Sequence, residues 1–157
     1  MKILTTEDAI KRELIEKKGL SLIPTMGNLH SGHLSLVKGA KEYNHKTIVT
    51  IFINPLQFGP NEDFNKYPRT IESDIKKLEK IDCDYVFIPE DDFAKNLGII
   101  KAPSISMELC GKNRPGHFDG VLTIINKIFS VILPTKAFFG LKDYQQFILI
   151  KEFAKKN

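Results

Sequence analysis

Apolar positions along the chain fall into two alternating patterns. From Thr6 to Lys18, Ala9, Ile10 and Leu14 share one face of a helical period, and the run stops at Gly19, a residue that readily terminates a helix. Leu20–Ile23, Thr47–Ile53 and Tyr85–Ile88 are short β-branched or aromatic runs, too short for helices and therefore read as strands. A helix over Ser31–Tyr43 separates the first two, and another over Ile71–Ile81 separates the last two. Thr70 is a good N-cap for the latter, with Glu72 and Asp74 favourable in its first turn. The pattern ends in a helix over Val121–Val131, a strand over Ala137–Phe139 and a helix over Asp143–Ala154. Strands without polar alternation, spaced by helices, predict an α/β fold whose parallel sheet is covered on both faces.

Two connections exceed what such a sheet needs. Asn54–Arg69 holds Pro55, Gly59, Pro60 and Pro68 and no helical period, and Pro89–Gly120 is irregular, with one short strand predicted at Ser104–Met107. Long loops in compact domains are usually functional or mobile. In a doubly wound sheet the loops after the strands crowd the ligand crevice at the carboxyl edge. Asn54 and Gln57 follow one strand and Gly140–Asp143 another, so they are expected to face the turn after Leu20–Ile23. No repeat, low-complexity tract or linker breaks the chain, which is read as a single Rossmann-like domain over residues 1–157.

That first turn, Ile23-Pro-Thr-Met-Gly-Asn-Leu-His-Ser-Gly-His33, puts His30 and His33 where a helix begins. Free N–H groups and the positive dipole end of a helix start attract phosphate. Gly27 and Gly32 lack side chains where a ligand would approach the backbone. Two imidazoles on one face of the first turn can donate to phosphate oxygens as charge builds. The alternatives for the pair are half a metal site or surface residues without a role. A zinc site wants further ligands at short spacing, and no His-Glu-x-x-His occurs, so no metal is assigned to the protein.

Composition adds limits rather than chemistry. The chain has 157 residues, 42% hydrophobic and 27% charged, enough for one real core and ordinary for a soluble globular protein. No apolar run approaches the roughly 20 residues of a membrane-spanning helix. The N-terminus opens on charged and helix-forming residues without a signal-peptide pattern, and Cys83 and Cys110 are isolated, so a cytoplasmic location is expected. The formal charge is +4, yet only Arg12, Arg69 and Arg114 of the 23 basic residues are arginines. Lysines scattered among Glu and Asp read as solvated surface rather than a nucleic-acid stripe. Neither nucleic acid nor membrane is expected as a partner.

Pro24-Thr-Met-Gly-Asn-Leu-His-Ser-Gly-His33 resembles the nucleotide-binding signature of the pantothenate synthetase (pantoate–β-alanine ligase) family. The resemblance continues, in the family's order, through Ile51-Phe-Ile-Asn-Pro-Leu-Gln-Phe58, Tyr67-Pro-Arg-Thr70, Arg114-Pro-Gly-His-Phe118 and Phe139-Gly-Leu-Lys-Asp-Tyr-Gln-Gln146. It implies a Rossmann-like fold of the HxGH nucleotidyltransferase type and a two-step reaction. Pantoate attacks the α-phosphate of ATP to give a pantoyl adenylate and pyrophosphate, and β-alanine then displaces AMP to give pantothenate. By the resemblance, Met26, Gly27, Asn28, Leu29, His30, Ser31, Gly32 and His33 bind ATP, as do Gly140, Leu141, Lys142 and Asp143. His33 takes the position of proton donor, assisted by His30 and Lys142. Gln57 and Gln146 match the pantoate-binding glutamines, and Asn54 is read as a polar ligand, although an Asn-Pro turn would place it there anyway. ATP enters with Mg2+, and a homodimer is implied.

Other residues carry weaker readings. His117 either lines the pocket or is a structural turn histidine, Tyr67 and Arg69 brace the loop, and His45 is read as surface. The chain departs from the family pattern at Leu141, where Glu is usual, and at Phe93-Ala-Lys95 in place of Tyr-Pro. The family's Ser-Ser-Arg-Asn block and smaller C-terminal lid domain are not in this sequence. Two functions follow as expectations: an ATP-dependent ligase whose turnover needs that lid, or a nucleotide-binding or interaction module without turnover. A different nucleotidyltransferase is disfavoured by Gln57, Gln146 and the Arg114–Phe118 block.

Overall fold

The computed structural model describes residues 1–15, 19–60 and 62–156. They divide into two compact units, Met1–Ile53 with Pro68–Phe93 and Phe129–Phe139, and Asn54–Tyr67 with Ala94–Ile128 and Gly140–Asn157.

The first unit is built on a five-stranded sheet of β1 (Lys2–Leu4), β2 (Leu20–Thr25), β3 (Lys46–Ile51), β4 (Tyr85–Phe87) and β5 (Lys136–Ala137). The strand order is β1-β4-β3-β2-β5, and every pairing is parallel. The longest register sets Leu20 against Lys46 and Thr25 against Ile51. Leu20–Ile23 are all buried, as an unalternating strand inside a parallel sheet requires. Helices α1 (Glu7–Leu14), α2 (Ser31–Lys41) and α3 (Ile71–Glu79) form the crossovers. α1 starts where Thr6 Oγ1 accepts from Ala9 N at 3.1 Å and sets Ile10 and Leu14 inside. Leu29, Val37 and Ala40 of α2 and the turn before it, and Leu78 of α3, join Ile23, Val49, Ile51 and Val86 in one core cluster. Each such aliphatic side chain contributes about 1.5–3 kcal/mol on full burial.

The second unit holds short 3-10 helices at Pro55–Gln57, Phe64–Lys66, Ser104–Met107, Leu109–Asn113 and Leu141–Asp143. It also holds most of α4 (His117–Ile132) and all of α5 (Tyr144–Lys156). Gln145 ties two of the short turns together, donating to Ile105 O at 3.0 Å and Glu108 O at 2.7 Å and accepting from Cys110 N at 3.0 Å.

Several sequence expectations change. β1 was hidden in a three-residue run, and Lys2 reaches from it to Glu13 at 2.8 Å. Ser104–Met107 is a 3-10 turn instead of a strand, because Ser106 N bonds Pro103 O at 2.8 Å and Ile105 and Met107 are both exposed. α4 begins at His117 rather than Val121. Gly120 disguised that start, since glycine is a poor helix former. Here the missing side chain is required, because a Cβ would lie 2.0 Å from Leu56 O. Thr70 stands at the N-cap of α3 but makes no side-chain cap. The helix expected over Thr6–Lys18 ends at Leu14, with Ile15 as its C-cap; residues 16–18 lie outside the described residues.

Candidate functional site

At the end of β2 the chain must turn sharply before α2. Thr25 Oγ1 donates to Thr50 O at 2.7 Å and accepts from Gly27 N at 3.1 Å. Gly27 and Asn28 then take left-handed backbone angles, φ +81° and +52°. A Cβ at Gly27 would also press on Ile51 Cγ2 at 3.1 Å and Asp74 Oδ2 at 3.3 Å. The glycine is thus needed for the turn and its packing, a reason beyond close ligand approach.

The turn is held from α3 by Asp74, which is fully buried. Its carboxylate accepts from Asn28 N at 2.8 Å, Leu29 N at 2.8 Å and Thr70 Oγ1 at 2.9 Å. Lys77, one turn along α3, donates to Leu29 O at 2.7 Å and lies 3.4 Å from Asp74 Oδ1. A buried carboxylate is tolerable only with such partners. Thr70 therefore serves Asp74 instead of capping its own helix.

His30 and His33 cap α2 reciprocally. His30 Nδ1 accepts from Gly32 N at 3.1 Å, and His33 Nδ1 accepts from His30 N at 3.4 Å. The ring centroids stand 4.2 Å apart. With Nδ1 accepting a main-chain N–H, a neutral imidazole carries its proton on Nε2. Each ring then has an Nε2–H donor. The N–H groups of Asn28 and Leu29 are thus taken by Asp74 and those of His30 and Gly32 by the imidazoles, while the ring Nε2–H groups add donors to this turn. A small cleft beside it is lined by Met26, Gly27, Phe52, Arg69, Thr70 and Asp74 among others. It opens beyond the carboxyl ends of β2, β3 and β4, the usual crevice of a parallel sheet.

The second unit carries its own buried polar group. Asn54 Nδ2 donates to Gln57 Oε1 and to Gly120 O, both at 3.1 Å, while Asn54 Oδ1 accepts from Leu56 N at 3.2 Å. Asn54 and Gln57 are both buried. Arg114 forms a fork onto Glu62, Nε to Oε1 at 2.6 Å and Nη2 to Oε2 at 3.0 Å. Arg114 Nη1 also faces His117 Nε2 at 3.0 Å, and His117 Nδ1 faces Gln57 O at 2.8 Å. Arginine only donates, so Nε2 accepts and Nδ1–H donates to Gln57 O. The Arg114 hydrogen bonds, with Gly59 N, hold the Glu62 carboxyl down at about 2. Burial pushes the His117 imidazole below its ordinary range.

Of the remaining residues singled out by sequence, Leu141, Lys142 and Asp143 form an exposed turn after Gly140, and Gln146 is half-buried in the first turn of α5. These, with Asn54 and Gln57, belong to the second unit; Met26–His33 belongs to the first. Tyr67 packs edge-on to Phe58 at 5.9 Å, and Arg69 lines the cleft. His45 is not a plain surface residue: half-buried, it lies 3.3 Å from Ser21 Oγ and against Gly19. His117 stands at the first position of α4, tied by its two ring nitrogens to Arg114 and Gln57 O. Sequence reasoning missed Asp74, Lys77 and Glu62 as site-building residues. An acidic residue in the first turn of a helix has an ordinary dipole explanation, and nothing local links Asp74 to a turn 45 residues earlier. Among the described residues no three or more His, Cys, Asp or Glu side chains are placed to hold a metal, and no helix is long and apolar enough to cross a membrane.

The sheet and the histidine turn at its carboxyl edge define a parallel α/β protein with its polar site in the strand-end crevice. A family model described as pantoate-beta-alanine ligase matches residues 2–157. Pantothenate synthetase of Thermosipho africanus is 49% identical over 93% of this chain and 54% of its own length. That of Pseudothermotoga lettingae is 50% identical over 93% and 53%. The crystal structure of pantothenate synthetase from Thermus thermophilus superposes with a TM-score of 0.95 at 34% identity, over 99% of this chain and 58% of that one. The pantoate-beta-alanine ligase of Francisella tularensis, solved with beta-gamma ATP and beta-alanine, gives 0.93 at 38% identity, over 99% and 62%. The chain belongs to the pantoate-beta-alanine ligase family. It spans about half the length of the curated relatives it matches.

Proposed function

We propose that this chain is the ATP- and pantoate-binding domain, of Rossmann-like HxGH type, of an ATP-dependent acid–amine ligase that makes pantothenate for coenzyme A synthesis. The observation that supports this most is the His30–His33 pair, whose Nδ1 atoms bind main chain, which puts an Nε2–H donor on each ring at the start of α2, just after the turn that lines the strand-end cleft. The pantoate carboxylate attacks the α-phosphorus of ATP, the bond to the pyrophosphate oxygen breaks, and pantoyl adenylate forms. The amine of β-alanine then adds to the acyl carbon and loses its proton, and AMP leaves with the electron pair of the broken C–O bond. Transfer of this kind needs positioning and charge compensation more than a nucleophile.

In this reading Met26–His33 and Gly140–Asp143 hold ATP, which arrives as its Mg2+ complex. His33 donates toward the leaving pyrophosphate, His30 assists, Lys142 supplies a point charge, and Asp143 accepts from the ribose hydroxyls. Gln57 and Gln146 bind pantoate, and Asn54 serves it by fixing the Gln57 amide. The protein acts as a cytoplasmic homodimer on small molecules.

Single-turnover release of pyrophosphate in the presence of pantoate tests this. His33→Ala should slow release by on the order of a hundredfold while changing ATP affinity much less, since the donor acts mainly in the transition state. An unchanged rate would remove His33 from the chemistry. Binding of ATP without any pantoate-dependent release would favour the second reading, a nucleotide-binding module; the matches reach only 53–58% of the first relatives' own lengths.

A further inference from the structure

The histidine turn has few residues of its own to hold it. Gly27 and Asn28 are both left-handed, a conformation that costs a non-glycine residue such as Asn28 of order 1 kcal/mol or more and persists only where surroundings enforce it. The enforcing groups come from α3. Asp74 takes the two N–H groups of Asn28 and Leu29, and Lys77 takes the carbonyl of Leu29. Leu29 is also buried in the core cluster, so its backbone is fixed on three sides immediately before His30.

We propose that Asp74 and Lys77 are positioning residues for the His30–His33 pair: gripping the turn at Asn28 and Leu29 from α3, they set the direction in which both imidazoles present Nε2–H to a nucleotide phosphate. This rests on the ATP reading above for its ligand, but the grip itself is a property of the turn. The carboxylate does a second thing. By occupying the Asn28 and Leu29 N–H groups it keeps them from the anion, so phosphate is met by the rings rather than by the loop backbone. Without Asp74 those N–H groups, the one at Leu29 buried, would need other partners, and the turn would relax away from its left-handed pair.

The test combines resonance assignments with ATP titration of the whole chain. In the unmodified protein, amide exchange at Asn28 and Leu29 should be slow. In Asp74→Asn and in Lys77→Met it should quicken by at least about tenfold, and the imidazole signals of His30 and His33 should shift. ATP affinity should fall on the order of tenfold in either variant. A merely structural role is separated by a double-mutant cycle: in a His30→Ala/His33→Ala background, Asp74→Asn should cost ATP binding nothing further, because it acts through the rings. If Asp74→Asn proves too unstable to study, Lys77→Met carries the same comparison. Unmoved imidazole signals in a folded variant, or an undiminished additional loss in the histidine-free background, would overturn the proposal. Moved signals and faster exchange in a chain that binds no ATP at all would support the grip and overturn only the nucleotide reading.

Discussion

Asn54 spends both of its amide protons inside the protein, on Gln57 Oε1 and Gly120 O, and its oxygen holds Leu56 N. A truncation to Ala would leave three buried or half-buried polar groups without this partner. A buried group left unsatisfied costs about 1–3 kcal/mol, so the urea midpoint of Asn54→Ala should fall well below that of the parent. An unchanged midpoint would mean that water replaces the amide at no cost. The Asn-Pro pair at 54–55 was visible in the sequence as a turn. The burial of Asn54 was not, because it depends on Gly120 O, 66 residues away. The histidines were the opposite case: the strand before them and the helical period after them placed both at a helix start, and only their use of Nδ1 as caps required the structure. Asp74 left no local trace at all. Its four donors come from two segments, and only Thr70 and Lys77 are near it in sequence.

Among elements, β2, β3 and β4 were legible because burial on both faces leaves a run without polar alternation, and α1 and α2 because their buried positions recur at a helical period. β1 and β5, of three and two residues, are too short to show a period. Irregular segments were the hardest, since their backbone hydrogen bonds go to side chains elsewhere, as with Gln145 and the turns at 104–113. The start of α4 has a pH consequence. His117 is held neutral between Arg114 and Gln57 O, with Glu62 and Asp143 as the acidic groups facing it. Its folded pKa lies below the ordinary 6.5, so the native state binds fewer protons than the unfolded one in that window. The associated stability is complete above about pH 6.5 and is lost as pH falls through the folded value. Glu62 adds a further loss between its ordinary 4.5 and about 2. The thermal midpoint should therefore drop as pH is lowered from 7 toward 5, with a smaller drop in His117→Asn, whose side chain does not titrate. Parallel pH profiles for the two proteins would contradict this account of His117.

At the scale of the molecule, the chain places the histidine turn in a sheet-based unit and the glutamines, Lys142 and Asp143 in a second, loop-rich unit. The parallel sheet was foreseeable from alternating periods; the division was not, because α4 runs through the boundary without a break in its apolar face. In the proposed function ATP binds at the His30–His33 rings with its phosphates on Nε2–H. Nitrogen-detected tautomer measurement on imidazole-labelled protein during ATP titration tests it most directly. Nε2–H tautomers are expected for both rings in the free chain, with large, saturable Nε2 shifts of both on adding Mg-ATP. Nδ1–H tautomers in the free chain, or saturable ATP binding that leaves both Nε2 signals where they were, would contradict it.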